Sequence, residues 1–138
     1  MARNFGAAVL VVATLFCLLT TISASVNPER FGEQLGLRII NAGGVNEIMA
    51  QYGGFFLAAA GVCIAALAGW LPRSVAFVTL AAIFGGLIVG RLVSLVLNGG
   101  LSGYGPTIQA LSVIDAIGFF LAIAAASLEW AGASRPGL

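Results

Sequence analysis

Four long apolar stretches constrain this chain more than any other feature of its sequence. A helix needs ~20 apolar residues to cross the ~30 Å hydrocarbon core of a bilayer. Runs of that kind cover residues 5–26, 50–71, 75–97 and 107–130. The composition agrees, because only 8% of the 138 residues are charged, against roughly 25% in a soluble domain. The sequence therefore predicts an all-α membrane protein, in which residues 1–138 form one four-helix transmembrane bundle.

The first stretch has a second interpretation. Arg3, an apolar core and the small residues 23–25 resemble a secretory signal. The apolar run of about 22 residues exceeds the ~7–15 residues of a signal core. We therefore interpret it as a retained first span, with cleavage as the alternative.

The segment 27–49 lies between the first two spans. Asn27 followed by Pro28 is typical of a helix start, and Phe31, Leu35 and Ile39 recur every four residues. This pattern predicts a short amphipathic interfacial helix reaching about residue 40, placed as a lid over one end of the bundle. We expect residues 41–44, Asn-Ala-Gly-Gly, to break this helix and Asn46 to cap the next one. The other connection on this face, 98–106, is interpreted as a Gly-rich turn without a further role.

Four spans place the two chain termini on the same face. We call that face side A; side B carries the 27–49 and 98–106 segments. Cytoplasmic segments carry an excess of Lys and Arg, and side A holds three arginines against two on side B, namely Arg3, Arg73 and Arg135 against Arg30 and Arg38. The count predicts cytoplasmic termini.

The residue inventory excludes several kinds of chemistry. The net charge of +1 argues against nucleic acid as a partner, because phosphate binding needs clustered Lys and Arg. The chain has no His, so the commonest general base and metal ligand is missing. Its six basic residues are all Arg, so there is no Lys amine to act as a nucleophile. Cys17 and Cys63 lie within apolar runs, where a thiol acts as a small hydrophobic group. We predict neither a metal nor a cofactor, with a lipid or a quinone as the candidate ligand.

Two charges lie within the predicted spans. Arg91 is six residues before the end of the third span, and Asp115 is eight residues after the start of the fourth. At 1.5 Å per residue they lie ~9 and ~12 Å below side B. Adjacent antiparallel helices would therefore bring the two charges together, and pairing would lower the cost of burying both.

Further polar residues open the second span from side B. Glu47 and Gln51 are one helical turn apart and share a helix side, and Tyr52 follows. We predict that these three join Arg91 and Asp115 in one polar cluster. Two interpretations stay open: the pair is a structural link between helices, or the cluster is a ligand or ion site.

Small residues recur every four positions along three spans. Such ridges let helix backbones approach closely, either within the chain or between copies. The ridges are Gly61, Ala65 and Gly69 in the second span; Ala82, Gly86, Gly90 and Ser94 in the third; and Gly118, Ala122 and Ala126 in the fourth.

Two of these motifs carry a resemblance. The pattern Glu47-x4-Tyr52-Gly53-Gly54, followed by Gly85-Gly86-x3-Gly90-Arg91-Leu92-x-Ser94, resembles a bacterial family of small four-span inner-membrane proteins known only as a domain of unknown function. The resemblance covers roughly residues 45–130. It implies a location in the bacterial inner membrane, with Glu47, Tyr52 and Arg91 as signature positions.

Three functions are compatible with these features. The first is a non-enzymatic protein that acts by binding, as an accessory subunit of a larger membrane complex or as a homo-oligomer, with a polar site open to one membrane face. The second is a small transporter or channel that uses the Arg/Asp/Glu cluster. The third is an enzyme acting on a lipid or quinone head group at side B. The small-residue ridges and a link between helices are sufficient for the first. The second is disfavoured because the polar groups occupy only the side B half and no inverted repeat is visible, and the third because the chain has no His and no Lys.

Overall fold

All regular secondary structure among the described residues is helical. The computed structural model describes residues 2–100 and 104–133; Arg135, on which the predicted orientation partly depends, and residues 101–103 of the side B turn lie outside them. The helices are α1 (Ala2–Val26), α2 (Pro28–Gln34), α3 (Ala42–Ile48), a π-helical segment (Met49–Gly54), α4 (Phe55–Leu67), α5 (Arg73–Leu97) and α6 (Pro106–Ala133). The predicted all-α fold class is confirmed.

Four helical stretches are long and apolar enough to cross a membrane. They are Asn4–Val26, Ala42–Leu67, Arg73–Leu97 and Pro106–Gly132; the second runs through α3, the π-helical segment and α4. The chain is therefore a multi-pass membrane protein by length and composition. Three of the stretches lie within a few residues of the predicted spans. The second begins at residue 42 and ends at 67, where the sequence analysis expected 50 and 71.

Capping explains both ends of the second span. The Asn41 side chain accepts a hydrogen bond from the Gly44 backbone N–H at 3.1 Å, so Asn41 is the N-cap and the expected cap Asn46 lies inside α3. The predicted break at 41–44 is wrong, because the cap satisfies a donor that the first turn would otherwise leave unpaired. At the other end, Gly69 has φ +79°, and the Trp70 N–H reaches back to the Ala65 carbonyl at 2.9 Å. This C-terminal cap ends α4 and puts Gly69 in a turn.

The interfacial helix α2 is shorter than predicted. It starts as expected, with the Asn27 side chain accepting from the Arg30 N–H at 2.9 Å and Pro28 in the first turn. It ends at Gln34 because Gly36 adopts φ +76° and the Leu37 N–H bonds to the Gly32 carbonyl at 2.9 Å. Phe31 and Leu35 lie toward the bundle, whereas the charged side chains of α2 are exposed. The short amphipathic helix between the first two spans is present.

The bundle pairs α1 with α4 and α5 with α6, and α1 also contacts α6. The neighbouring helices are antiparallel, since the beginning of α5 meets the end of α6 and the end of α5 meets the beginning of α6. The main core lies in the side A half, where large buried side chains are surrounded by alanines. Its most buried large members are Leu10, Phe77 and Leu80.

Only the small-residue ridge of α6 packs closely inside the described part of the chain. A Cβ atom on Gly118 would lie 2.9 Å from the Phe84 ring, and Ala122 and Ala126 are buried. At Gly61, Gly86 and Gly90, by contrast, no described atom lies within 4 Å of the Cβ position. Gly61, Gly86 and Gly90 therefore do not mark close contacts between the described helices.

Gly118→Ala should destabilise the bundle, because Phe84 is 5% exposed and its ring has little room to move away from the new methyl group. We expect a net loss of about 1–2 kcal/mol, since overpacking a core costs ~1–3 kcal/mol. Gly61→Ala is the matched control, where the open Cβ position leaves only the gain in helix propensity of up to ~1 kcal/mol. Unfolding in mixed micelles followed by circular dichroism measures both. Equal stability of the two variants would contradict the close packing of α5 on α6.

Candidate functional site

The predicted ion pair forms between α5 and α6. Arg91 Nε donates to Asp115 Oδ2 at 2.6 Å, and the Asp115 side chain is only 3% exposed while that of Arg91 is 27% exposed. Because a bare carboxylate is costly in an apolar interior, the cation beside it is what makes this position tolerable. The pair also fixes the relative heights of α5 and α6 near side B.

The guanidinium of Arg91 is only partly used by this bond. Among the described residues, its hydrogen bonding goes through Nε alone. The two terminal amino groups carry the remaining four of the five N–H donors of an arginine. Arg91 therefore has donors left for a ligand while it stays paired with Asp115.

Two cavities meet at Arg91. The outer cavity has a volume of about 650 Å³ and opens at the protein surface; the inner cavity, of about 170 Å³, lies among α1, α2, the π-helical segment, α5 and α6. Asp115 lines the inner cavity, and Arg91 lines both. The ion pair thus lies where the two cavities adjoin, together with Tyr52, which also lines both.

The outer cavity has apolar walls and a few polar groups. Gly86 and Gly90 form part of its wall, and the absence of a side chain at both positions leaves room for the cavity. The ridge predicted in the third span therefore lines a cavity. The polar groups on the wall are those of Tyr52, Arg91, Ser94, Tyr104, Gln109 and Ser112.

Tyr52 connects the lid segment to the cavities. Its ring lies 5.1 Å from that of Phe31 on α2 and stacks on that of Phe56 at 6.1 Å, with an interplanar angle of 9°. It belongs to the π-helical segment, an irregularity that often marks functional sites. The next residue, Gly53, is buried against α1, and its carbonyl accepts a hydrogen bond from the Thr21 hydroxyl at 3.1 Å. This bond secures the irregular backbone that aims Tyr52 at the cavities.

The five residues predicted as one cluster divide into two groups. Arg91, Asp115 and Tyr52 surround the cavities. Glu47 and Gln51 are exposed and bond to each other, with Gln51 Nε2 donating to Glu47 Oε1 at 3.1 Å. A shared helix side was correctly inferred for these two, but that side faces outward.

A polar network that was not predicted from the sequence lies on the side B rim, around Tyr104. The Ser94 and Tyr104 hydroxyls lie 2.6 Å apart, Asn98 Nδ2 donates to the Ser94 carbonyl at 2.8 Å, and Gln109 Nε2 donates to the Tyr104 carbonyl at 3.1 Å. The described part of the 98–106 turn is therefore tied to both helices. A tyrosine placed among glycines at an interface, where such side chains are enriched, was the only signal in the sequence.

A second ion pair links α5 and α6 near side A. Arg73 Nη1 lies 4.0 Å from Glu129 Oε1, with both side chains about a third exposed or less. Exposed pairs of this length contribute at most ~1 kcal/mol. The strong link between α5 and α6 is the one at side B.

Breaking the Arg91–Asp115 pair from one side should cost more than neutralising both partners. Arg91→Gln leaves the Asp115 carboxylate buried without a cation, for which we expect a loss of about 3 kcal/mol, the lower end of the range for a buried pair because Arg91 is partly exposed. The double variant Arg91→Gln/Asp115→Asn should lose about 1 kcal/mol or less, since two amides can still bond. A double-mutant cycle of unfolding free energies in mixed micelles measures this coupling. If the losses of the single variants Arg91→Gln and Asp115→Asn simply add up in the double variant, the pair is not formed.

Comparison with known proteins identifies no relative: no family model, no curated protein and no solved structure matches this chain. The resemblance to the bacterial four-span family stays a prediction.

Proposed function

We propose that this protein is a non-enzymatic, multi-pass membrane protein that acts by binding, and that its outer cavity receives a membrane-resident molecule. The observation that carries the proposal is the open cavity of about 650 Å³ beside Arg91. Ligand sites typically measure ~300–1,000 Å³ and combine apolar walls with a few placed polar groups, which describes this cavity. The lining residues of α5 and α6 lie within the spanning helices, so a molecule dissolved in the bilayer has direct access.

The side A half of the bundle supports binding over transport. Among the described residues the buried polar side chains are Asp115 and Thr14, and the Thr14 hydroxyl is bonded within α1, to the Leu10 carbonyl at 2.7 Å. Farther toward side A, the buried side chains of Leu10, Phe77 and Leu80 fill the interior. A transporter needs a route past this half, and a packed core of this kind resists deformation. A cavity closed at one end suits a protein that holds a molecule.

The carboxylates support binding over catalysis. Asp115 accepts a hydrogen bond from Arg91 at 2.6 Å and lines the inner cavity, not the outer one. Glu47 bonds to Gln51 on the exposed side of its helix, apart from the cavities. The groups on the outer cavity wall are donors and hydroxyls, which suit recognition.

We further propose a protein partner, either a larger membrane complex or a second copy of the chain. Gly61 and Ala58 are exposed on α4, with the half-buried Ala65 one turn further on, and offer a face that another helix can approach closely. In keeping with the family resemblance and the arginine count, we place the protein in a bacterial inner membrane with cytoplasmic termini.

Filling the outer cavity should reduce the amount of small molecule that purifies with the protein. Gly90→Leu adds a side chain where the Cβ position is open, so it occupies the cavity without disturbing the bundle. We expect at least a tenfold loss of retained amphiphile, equivalent to ~1.4 kcal/mol, in organic extracts of protein purified in mild detergent and quantified by mass spectrometry.

Gly61→Leu is the matched control, because its Cβ position is equally open but lies on α4, away from the cavity. It should retain the full amphiphile content and, if the α4 face contacts a partner, lose that partner instead. Identical amphiphile content in Gly90→Leu and the unmodified protein would overturn the proposed binding function.

A further inference from the structure

We propose that the occupant of the outer cavity is an anionic phospholipid of the surrounding bilayer, with its phosphate on Arg91 and one acyl chain along the glycine face of α5. This inference rests on the proposed binding function and specifies its ligand.

The charge of the cavity wall selects an anion. Arg91 is the one charged residue among the described residues that line the outer cavity. Its acidic partner Asp115 lines the inner cavity and is not among the residues of the outer cavity wall. A ligand in the outer cavity therefore meets the cation of the pair and not its carboxylate. Electrostatic complementarity of this kind favours a negatively charged head group.

The geometry of the guanidinium selects a group with several acceptor oxygens. With Nε bonded to Asp115, the terminal amino groups keep the planar arrangement that binds phosphate oxygens in pairs. A phosphodiester presents such oxygens at fixed separation. A neutral quinone presents single carbonyls at opposite ends of a ring, so it accepts fewer of these hydrogen bonds and gains less from the positive charge than an anion does.

A polar route leads from the side B rim to Arg91. Arg91 lies six residues before Leu97, the last residue of α5, so its Cα is ~9 Å from that end. The Tyr104 hydroxyl, the Gln109 amide and the Ser94 hydroxyl line the wall at the rim. They supply hydrogen bonds to the glycerol and ester oxygens of a head group drawn inward to Arg91. The phosphate therefore has hydrogen-bonding groups beside it along the path to Arg91.

An apolar face continues below Arg91. Gly86 and Gly90 lie on the wall, with Leu87 and Ile88 beside them. Gly86 is eleven residues from the end of α5, or ~16 Å deep, which is about half of a bilayer core of ~30 Å. This depth and this surface suit the upper half of an acyl chain whose phosphate sits at Arg91.

The test uses the full chain in nanodiscs that contain phosphatidylcholine with a minority of phosphatidylglycerol. Lipids retained after ejection from the nanodisc are counted by native mass spectrometry. Three variants are compared with the unmodified protein: Gly90→Leu, which fills the cavity; the neutral pair Arg91→Gln/Asp115→Asn, which removes both charges and leaves a polar amide at each position; and the control Gly61→Leu. We expect phosphatidylglycerol to be retained over phosphatidylcholine by about tenfold or more in the unmodified protein and in Gly61→Leu. Both other variants should lose this preference. Gly90→Leu should lose the lipid itself, and the neutral pair should bind both lipids alike.

Circular dichroism of each variant verifies that the helices are intact.

The outcomes separate the two proposals. A retained amphiphile that disappears in Gly90→Leu but is unaffected by neutralising the pair, or that is phosphatidylcholine or an added quinone, would overturn the anionic ligand and leave the binding function standing. Retention of phosphatidylglycerol in Gly90→Leu at the level of the unmodified protein would overturn both. Loss in the Gly61→Leu control as well would place the lipid on the outer surface of the bundle and overturn the cavity as its site.

Discussion

The rest of this structure depends on the ion pair between Arg91 and Asp115. A carboxylate that is 3% exposed within a spanning helix is tolerable only with a cation beside it. That requirement fixes the height of α5 relative to α6, and with it the positions of the cavity walls that the two helices carry. The contact of Arg73 with Glu129 at the other end is longer, at 4.0 Å, and its carboxylate is 32% exposed, so it constrains this register less.

The pair was predictable because depth follows from residue count. A rise of 1.5 Å per residue and an antiparallel neighbour suffice to place Arg91 opposite Asp115. Rotation about the helix axis does not follow from a count. The same every-four spacing occurs at Gly118, which packs against Phe84, at Gly90, which lines a cavity, and at Gly61, which is open. Only the tertiary arrangement distinguishes these cases, and for the same reason Glu47 faces outward while Tyr52 faces the cavities.

The ends of the helices were less predictable, because continuation of a helix competes locally with capping turns. A helical period continues through Phe31, Leu35 and Ile39, yet α2 ends at Gln34. The left-handed backbone at Gly36 forms a capping turn that satisfies the last carbonyls of the helix. Asn41 and Asn46 are equally good caps in sequence, and the structure selects the first. The hydrogen bond of Tyr104 was not predicted because only the tertiary structure brings its hydroxyl to 2.6 Å from that of Ser94.

Stability alone is a weak explanation for the pair. Replacing a buried ion pair with apolar side chains of similar volume is often neutral or stabilising, and the bilayer interior favours apolar residues further. An apolar α5–α6 contact would hold the bundle without the cost of burying charge. The pair differs from such a contact in one respect, since it places a cation with unused donors on the wall of an open cavity. Nε is committed to Asp115 and the terminal amino groups are not, so holding the helices and holding a ligand are done by different atoms of one side chain. The two interpretations that the sequence left open, a structural link and a ligand site, are therefore compatible, and the first positions the group that the second needs.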